Sequence, residues 1–155
     1  MNIERLNINI NGVSSPGFSG DNSVFSELAV LVGDEIPGDY IEFVAQANGG
    51  HPEIGCFSVI GDDTKDNLFD VDWFYSVNSS SIENVRNAIL QWGGLLGPKK
   101  LPIGRDGGDN QIYLNLEDET PTVWLYLHDE NEARLKLSNS FPEFLDGLIM
   151  NPDFI

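Results

Sequence analysis

The stretch Leu101-Pro102-Ile103-Gly104-Arg105-Asp106-Gly107-Gly108-Asp109-Asn110 joins a short apolar segment to an acidic turn rich in glycine. Residues 111–116 follow it and alternate between polar and apolar side chains, so that Ile112, Leu114 and Leu116 share one face of a predicted strand. After a turn, residues 122–128 form a second apolar segment. Two such segments separated by a short turn predict an antiparallel hairpin.

The glycine pair in this stretch favours a structural role over a phosphate-binding one. Asp106 and Asp109 flank Gly107 and Gly108 and would repel a phosphate, and no lysine follows the glycines as it does in a nucleotide-binding loop. We therefore expect a tight turn in which the glycines adopt positive φ angles. The Asp and Asn side chains, including that of Asn110, are expected to bond to nearby backbone groups.

Four segments have the spacing of apolar residues that is typical of helices. They cover residues 23–33, 37–50, 80–94 and 140–148. The residues predicted to face the core are Phe25, Leu28, Val32, Tyr40, Phe43, Val44, Ala47, Ile82, Val85, Ile89, Trp92, Phe141, Phe144, Leu145 and Leu148.

Polar residues and glycines mark the ends of these helices. Ser80-x-x-Glu83 and Ser140-x-x-Glu143 have the form of capping boxes, which begin helices. Gly33 ends the first helix, and Asn48-Gly49-Gly50 is predicted to end the second through a left-handed glycine cap. Gly93-Gly94 is predicted to end the third.

The order of the elements indicates the fold class. Besides the hairpin, short strands are predicted at 6–10, 56–60 and 134–137. Helices dominate the first part of the chain and strands the second, with no repeated strand-helix-strand unit, which favours an α+β fold over a doubly wound one. We therefore predict a single domain over residues 1–155, with an antiparallel-rich sheet packed against about four helices.

The chain is strongly acidic. It has 25 Asp and Glu residues against 8 Lys and Arg residues, which gives a net charge of −17 over 155 residues. Residues 34–72 contain ten acids and Lys65 as their one base, and residues 106–132 contain eight acids and no base. Such a surface repels nucleic-acid phosphates and anionic lipid and attracts basic proteins. Acidic surfaces also keep small cytosolic proteins soluble, so the net charge alone does not distinguish the two roles.

The sequence favours a reduced, cytoplasmic location. The single cysteine, Cys56, cannot form an internal disulfide and lies in an apolar segment that predicts burial. The N-terminus lacks the basic start and the continuous apolar stretch of a signal peptide. No window approaches the roughly 20 apolar residues that span a bilayer. We expect neither export nor membrane insertion.

The residue patterns for catalysis and for metal binding are incomplete. His128 with Asp129, or His51 with Cys56, would supply a base and a nucleophile, but no third group to orient the base can be identified. One cysteine and two distant histidines do not make a zinc site. The loops 62–67 and 106–110 lack the ligand pattern of an EF-hand. We expect no catalytic residues, no metal site and no cofactor.

Three motifs follow one another over residues 35–148. Residues 35–43 with Asn48-Gly49-Gly50 come first, the stretch 101–110 comes second, and residues 140–145 come third. In this order and spacing they resemble the SUKH superfamily, the Smi/Knr-type proteins. The residues that carry the resemblance are Pro37, Tyr40, Asn48, Gly49, Gly50, Gly104, Asp106, Gly107, Gly108, Asn110, Phe141 and Phe144.

Two departures from the family pattern concern the turn and the N-terminus. Asp109 stands where the family more often has another small residue. The first thirty residues match little, so residues 1–20 are expected to form an N-terminal extension.

The resemblance implies a non-enzymatic binding role and a SUKH-like fold. Bacterial members are mostly immunity proteins that neutralise polymorphic or contact-dependent toxins, and fungal relatives regulate cell-wall synthesis. The implied partner is therefore a cognate protein toxin, which the charge predicts to be basic, with a nuclease as one such target. The alternative is a scaffold or regulatory module. We expect no direct nucleic-acid binding, and a monomer or a weak homodimer.

Residues 62–75 combine aromatic and acidic side chains better than any other segment. In a strand, Trp73 and Tyr75 would share one face, and packing in the core is the ordinary fate of such residues. On an exposed face they would supply the large anchors that dominate interface energies. The predicted partner-binding residues are Asp62, Asp63, Asp66, Asp70, Asp72, Trp73 and Tyr75.

Overall fold

The computed structural model describes residues 1–61, 68–79 and 83–154 of the chain. Its α-helices are α1 (Ser23–Val32), α2 (Gly38–Gln46), α3 (Val85–Leu96) and α4 (Phe141–Asp146), and two short 3-10 helices cover Glu4–Leu6 and Pro152–Phe154. Its strands are β1 (Ile8–Ile10), β2 (Val13–Ser14), β3 (His51–Pro52), β4 (Cys56–Ser58), β5 (Leu68–Asp70), β6 (Trp73–Phe74), β7 (Lys100–Arg105), β8 (Gln111–Asn115), β9 (Thr122–Leu127) and β10 (Ala133–Ser138).

The main sheet has five strands in the order β10-β9-β8-β7-β6, and the pairs within it are antiparallel. A three-stranded sheet, β2-β1-β3, and the pair β4-β5 complete the β-structure that the model describes. The hairpin predicted from residues 111–116 and 122–128 is confirmed, because Ile112 pairs with Leu125 and Leu114 pairs with Val123. The α+β fold is likewise confirmed.

The core lies between one face of the main sheet and the helices. Ile112, Leu114 and Leu125 are at most 1 % exposed and pack in one cluster with residues of all four helices. Aromatic rings join α2 to α4: the ring centroid of Phe141 lies 5.7 Å from that of Tyr40 and 5.3 Å from that of Phe43, edge to face in both cases. Each such buried ring contributes about 1.5–3 kcal/mol through the removal of apolar surface from water.

The opposite face of the sheet carries a smaller cluster. Tyr113 and Tyr126 are buried there against Leu96, at the end of α3. The Arg134 guanidinium lies 5.8 Å and 5.6 Å from the centroids of the two tyrosine rings. It also donates 2.9 Å hydrogen bonds to the carbonyls of Leu95 and Leu96. A cation at this position satisfies carbonyls that the helix end leaves unpaired.

Helices α1 and α4 begin and end close to the predicted residues. Gly33 follows α1 with φ +88°, a left-handed C-cap. Ser140 precedes α4, and its hydroxyl oxygen accepts a 3.2 Å hydrogen bond from the Glu143 backbone N–H, as the capping box predicts. These boundaries depend on local hydrogen bonds and were therefore visible in the sequence.

The predicted ends of α2 and α3 are wrong. Helix α2 ends at Gln46, where Ala47 becomes extended, and the glycines that follow serve close packing. A Cβ at Gly49 would lie 2.8 Å from the Ser76 backbone nitrogen, and Gly49 has φ +88°. Helix α3 is capped by Asn84, whose side chain accepts a hydrogen bond from the Asn87 N–H.

The expected capping box of α3 does not begin the helix. Asn84 lies beyond it, and Ser80 and Ile82 are outside the described residues. The pair Gly93-Gly94 lies within α3 and does not end it, because Gly97 is the C-cap.

The N-terminal residues are part of the packed structure. The strand predicted at 6–10 is shorter, and a β-hairpin forms where only a turn was expected. Ile3, Leu6 and Ile8 are buried in the main core. The Arg5 guanidinium donates hydrogen bonds of 2.8–2.9 Å to three carbonyls at the end of α4, those of Leu145, Asp146 and Leu148.

Candidate partner-binding surface

The side chain of Asp106 organises the turn between β7 and β8. Its Oδ1 accepts 2.9 Å hydrogen bonds from the backbone N–H groups of Gly108 and Asn110, and its Oδ2 accepts one from the Asn110 side-chain amide. The predicted side-chain bonds are therefore present. The predicted backbone angles are wrong: Gly107 and Gly108 do not have positive φ, whereas Asp109 has φ +69°. Aspartate tolerates this left-handed region better than most residues, and so a glycine is not required there.

The turn is also fastened to the end of β9. The Asn110 Oδ1 accepts a 3.2 Å hydrogen bond from the His128 backbone N–H, and His128 Nε2 lies 2.7 Å from the Gly108 carbonyl oxygen. The His128 ring packs against Trp92 at a centroid distance of 5.6 Å. The His128 ring thus serves to support the turn.

Gly104 allows β6 to pair closely with β7. A Cβ at this position would lie 2.7 Å from the Trp73 carbonyl oxygen and 3.4 Å from the Phe74 Cα. The resulting register places Phe74 opposite Gly104 and Trp73 opposite Arg105. A small residue in the motif therefore brings the predicted aromatic segment beside a cation.

Arg105 gathers carboxylates from three parts of the chain. Its Nε and Nη2 donate 2.6 Å and 3.0 Å hydrogen bonds to the two oxygens of Glu83, and Nη1 donates a 2.6 Å bond to Asp72. Asp109 lies 3.8 Å from Nε. We call Arg105, Asp72, Glu83 and Asp109 the Arg105 cluster.

The Arg105 cluster retains negative charge. One guanidinium faces three carboxylates, which leaves a formal charge of −2. The hydrogen bonds to Glu83 are the main cause of a raised pKa at Arg105, and partial burial opposes them. The side chains of Asp72, Glu83 and Asp109 remain 45 %, 48 % and 58 % exposed, so their oxygens can also reach a partner.

The structure separates the predicted partner-binding residues. Asp72 and Trp73 lie at the Arg105 cluster, and Trp73 is partly buried against the core. Asp70 accepts a 2.7 Å hydrogen bond from the Asn151 side chain. The three remaining acids of the prediction lie outside the described residues; they are Asp62, Asp63 and Asp66.

Tyr75 is not available as an exposed anchor. It is 4 % exposed, and its hydroxyl donates a hydrogen bond to Gln111 Oε1. Burial raises the pKa of this hydroxyl, against a smaller lowering by the Gln111 bond. The strand expected to carry both aromatics is shorter, because β6 ends at Phe74 and Tyr75 lies one residue beyond it. No local pattern indicated that the buried Gln111 would accept the Tyr75 hydroxyl.

Glu83 and Asp109 belong to this surface although the sequence did not single them out for binding. They are 22 and 4 residues from Arg105 along the chain. The one available signal was the position of Arg105 itself, a single base within an acidic motif. A lone base among acids predicts ion pairing, but only the fold decides which acids it meets.

A second acidic surface lies at the other end of the main sheet. Its centre is the turn between β8 and β9. There Glu117 forms a 2.8 Å salt bridge with Lys100, and this contact lowers the pKa of Glu117. A depression near this turn is lined by acids of the turn itself and of the segment between α1 and α2. These acids are Asp34, Glu35, Glu117, Asp118 and Glu119.

Cys56 is a buried structural residue. Its side chain is 0 % exposed, and burial is the main cause of a raised thiol pKa, followed by Asp70 and Asp153. A thiol held protonated in this way is a poor nucleophile. Among the described residues, no group of three or more His, Cys, Asp or Glu side chains is arranged to hold a metal ion.

The sequence model of the SMI1 / KNR4 family (SUKH-1) matches residues 26–147. The chain belongs to this family. The match covers the helices α2 to α4 and the main sheet, including the Arg105 cluster and the Asp106 turn, and confirms the resemblance seen in the motifs. The SMI1 / KNR4 family includes immunity proteins and cell-wall regulators; its members are generally non-catalytic and act through protein–protein contacts. A search of curated proteins found no match.

The family match leaves out the first hairpin. Ile3, Leu6 and Ile8 pack in the core and Arg5 binds the end of α4, yet the matched region begins at residue 26. In the described part of the chain, no helix is both long enough and apolar enough to cross a bilayer.

Proposed function

We propose that this chain is an immunity protein, which binds a cognate polymorphic or contact-dependent toxin in the cytoplasm and blocks its active site or an adjacent surface. Membership of the SMI1 / KNR4 family supports a binding role. The single observation that carries the choice of surface is the Arg105 cluster, where exposed carboxylates outnumber the cation that holds them.

The Arg105 cluster suits a basic partner. Arg105 fixes the carboxylates of Asp72 and Glu83 in position before binding, so less side-chain entropy is lost when a lysine or arginine of the partner approaches. Trp73 lies next to these acids and offers apolar surface. Aromatic side chains ringed by polar groups are typical centres of interface energy.

A nuclease toxin is the partner that the charge favours. The active surface of such an enzyme must be basic to hold phosphates. A protein of net charge −17 would steer toward that surface, and association rates can then reach about 10⁸–10⁹ M⁻¹s⁻¹ at low salt. The toxin would be neutralised by occlusion, without a covalent step.

The experiment is to co-express the chain with a candidate cognate toxin domain and then to measure the association and dissociation rate constants at two salt concentrations. Asp72→Asn and Asp109→Asn should each slow association by about two- to fivefold at low salt, since nearby charges chiefly set the encounter rate. Trp73→Ala should mainly speed dissociation, by about tenfold or more.

Glu119→Gln is the matched control, because it removes one negative charge at the other end of the sheet. Circular dichroism and thermal melts must show that each variant is folded. Equal slowing by Glu119→Gln and Asp72→Asn would mean that only net charge matters and would contradict the assignment of the surface. Failure of the wild-type chain to protect cells from the toxin would contradict the immunity function itself.

A further inference from the structure

A small pocket lies between helix α3 and the turn that joins β7 to β8. The side chains that give it its chemistry are those of Glu83, Asn87, Gln91, Trp92 and Asp109. Its volume is about 170 Å³, below the roughly 300–1,000 Å³ of pockets that hold cofactors or drug-sized ligands. A pocket of this size suits one inserted side chain of another protein.

Helix α3 contributes two amide side chains and an aromatic ring. Asn87 and Gln91 are four positions apart and therefore lie on the same face of the helix, and both are exposed. Within the described part of the chain, neither side-chain amide makes a hydrogen bond, so their carbonyl oxygens are available to an incoming donor. The Trp92 ring is partly buried and forms an aromatic part of the wall.

Asp109 contributes a carboxylate that the chain itself uses little. Its backbone is left-handed, with φ +69°, and its side chain is 58 % exposed. Arg105 Nε lies 3.8 Å from Oδ1, which is too far for a hydrogen bond. No other group among the described residues donates a hydrogen bond to this carboxylate. Asp109 can therefore accept hydrogen bonds from a partner without losing any of its own.

The charge of the pocket selects a cation. Glu83 and Asp109 line it, and the Arg105 cluster to which they belong has a formal charge of −2, so one further positive charge would still leave it at −1. A phosphate or carboxylate would be repelled. The first N–H groups of α3 are also occupied, because that of Val85 bonds to the Ser76 carbonyl and that of Asn87 to the Asn84 side chain.

We propose that this pocket receives one arginine side chain of the partner, with the guanidinium between Glu83 and Asp109 and the stem against Trp92. The assignment rests on the proposed function, since the arginine belongs to the toxin. Arginine suits the lining better than lysine, because its planar guanidinium has five donors for the acids and amides and stacks on aromatic rings. Tryptophan is the side chain that attracts a cation most strongly in this way.

An NMR titration of the full, isotopically labelled chain with N-acetyl-arginine amide tests the pocket without any toxin. At low salt this probe should shift the Trp92 indole and the Asn87 and Gln91 side-chain amides, with a dissociation constant of about 1–10 mM. N-acetyl-lysine amide should bind about threefold more weakly or worse. N-acetyl-citrulline amide has nearly the same shape without the charge and should cause no saturable shift.

Two results of this titration would overturn the proposal. One is equal binding of the citrulline or lysine probe, and the other is a set of arginine-induced shifts centred on the acidic turn between β8 and β9.

Gln91→Lys and Leu90→Lys form a matched pair of variants. Both add one positive charge to the exposed surface of α3, but Leu90 lines the separate groove between α1 and α3. Gln91→Lys should raise the dissociation constant of the arginine probe at least about tenfold, whereas Leu90→Lys should leave it within about twofold of wild type. Equal effects would show that net charge, and not this pocket, controls binding, and would contradict the assignment.

Asp109→Asn tests the carboxylate separately from the fold. Asparagine also tolerates left-handed backbone, so the turn should be kept, which thermal melts can check. The variant should bind the arginine probe about fivefold more weakly, whereas Glu119→Gln, which removes a charge from the other acidic surface, should stay within about twofold of wild type. A folded Asp109→Asn variant that binds like wild type would refute the role of this carboxylate.

The same variants connect the pocket to the toxin. In the complex, Gln91→Lys should speed dissociation by about tenfold or more, and Leu90→Lys by less than about twofold. Specific binding of the arginine probe by a chain that gives no protection from the toxin would contradict the immunity function alone. Protection by a chain that does not bind the probe would overturn the pocket and leave the immunity function standing.

Discussion

Replacing Gly104 by alanine should destabilise the protein by about 2 kcal/mol, within the usual range for an overpacked site. The added Cβ would lie 2.7 Å from the Trp73 carbonyl oxygen, closer than the 3.0 Å that real Cβ contacts respect. The obstacle is backbone and cannot rotate away, so β6 must shift relative to β7. In thermal unfolding followed by circular dichroism, this cost corresponds to a melting temperature lower by about 4–8 °C.

Gly107→Ala is the matched control for that substitution. A Cβ at Gly107 would meet no atom within 4 Å, and Gly107 does not have positive φ. The variant should therefore match wild type or gain up to about 1 kcal/mol, since alanine restricts the unfolded chain. If Gly104→Ala melts at the wild-type temperature, or if Gly107→Ala is the more damaging change, the close pairing of β6 with β7 has been described wrongly.

Three further predictions concern other parts of the molecule. Arg5→Ala should lower the free energy of unfolding by about 1–3 kcal/mol through loss of its bonds to α4, whereas Arg86→Ala, at an exposed site, should change it by less than about 0.5 kcal/mol in urea titrations. Cys56 should resist alkylation at neutral pH in the native protein and react readily in denaturant, as mass spectrometry can show; rapid native labelling would contradict its burial. The purified chain should not hydrolyse nucleic acid, ester or peptide substrates, and turnover abolished by His128→Ala would refute this.

The parts of the fold that depend on neighbouring residues were predictable from the sequence. Ser140 and Glu143 lie three positions apart and begin α4 as expected. Ile112 and Leu114 face the core, as the predicted alternation requires, although Gln111 and Tyr113 on the other face are buried as well. In each case the sequence pattern and the structural feature that it predicts, a helix cap or a buried strand face, lie within a few residues of one another.

The features that were missed depend on residues far apart in the chain. Asn84 and Ser80 are both good capping residues, and only the packing of α3 selects Asn84. Tyr75 is buried in the main core, where Gln111, 36 residues away in the sequence, accepts its hydroxyl. The Arg105 cluster likewise requires the β6–β7 pairing, which brings Asp72 to Arg105 across 33 residues. The spacing of residues within a short segment does not indicate such contacts.

The bonds from Arg5 to the end of α4 also govern the order of events during synthesis. The acceptor carbonyl of Leu148 lies 143 residues after Arg5, so this bond cannot form until those residues have been translated. Before then, the N-terminal segment can make only its nearer contacts, such as the pairing of Ile8 with Pro52 and the hydrogen bond from the Glu53 N–H to the Leu6 carbonyl. Contacts of such long range also slow folding. The attachment of this segment to α4 can therefore form only after all the strands of the main sheet have been synthesised.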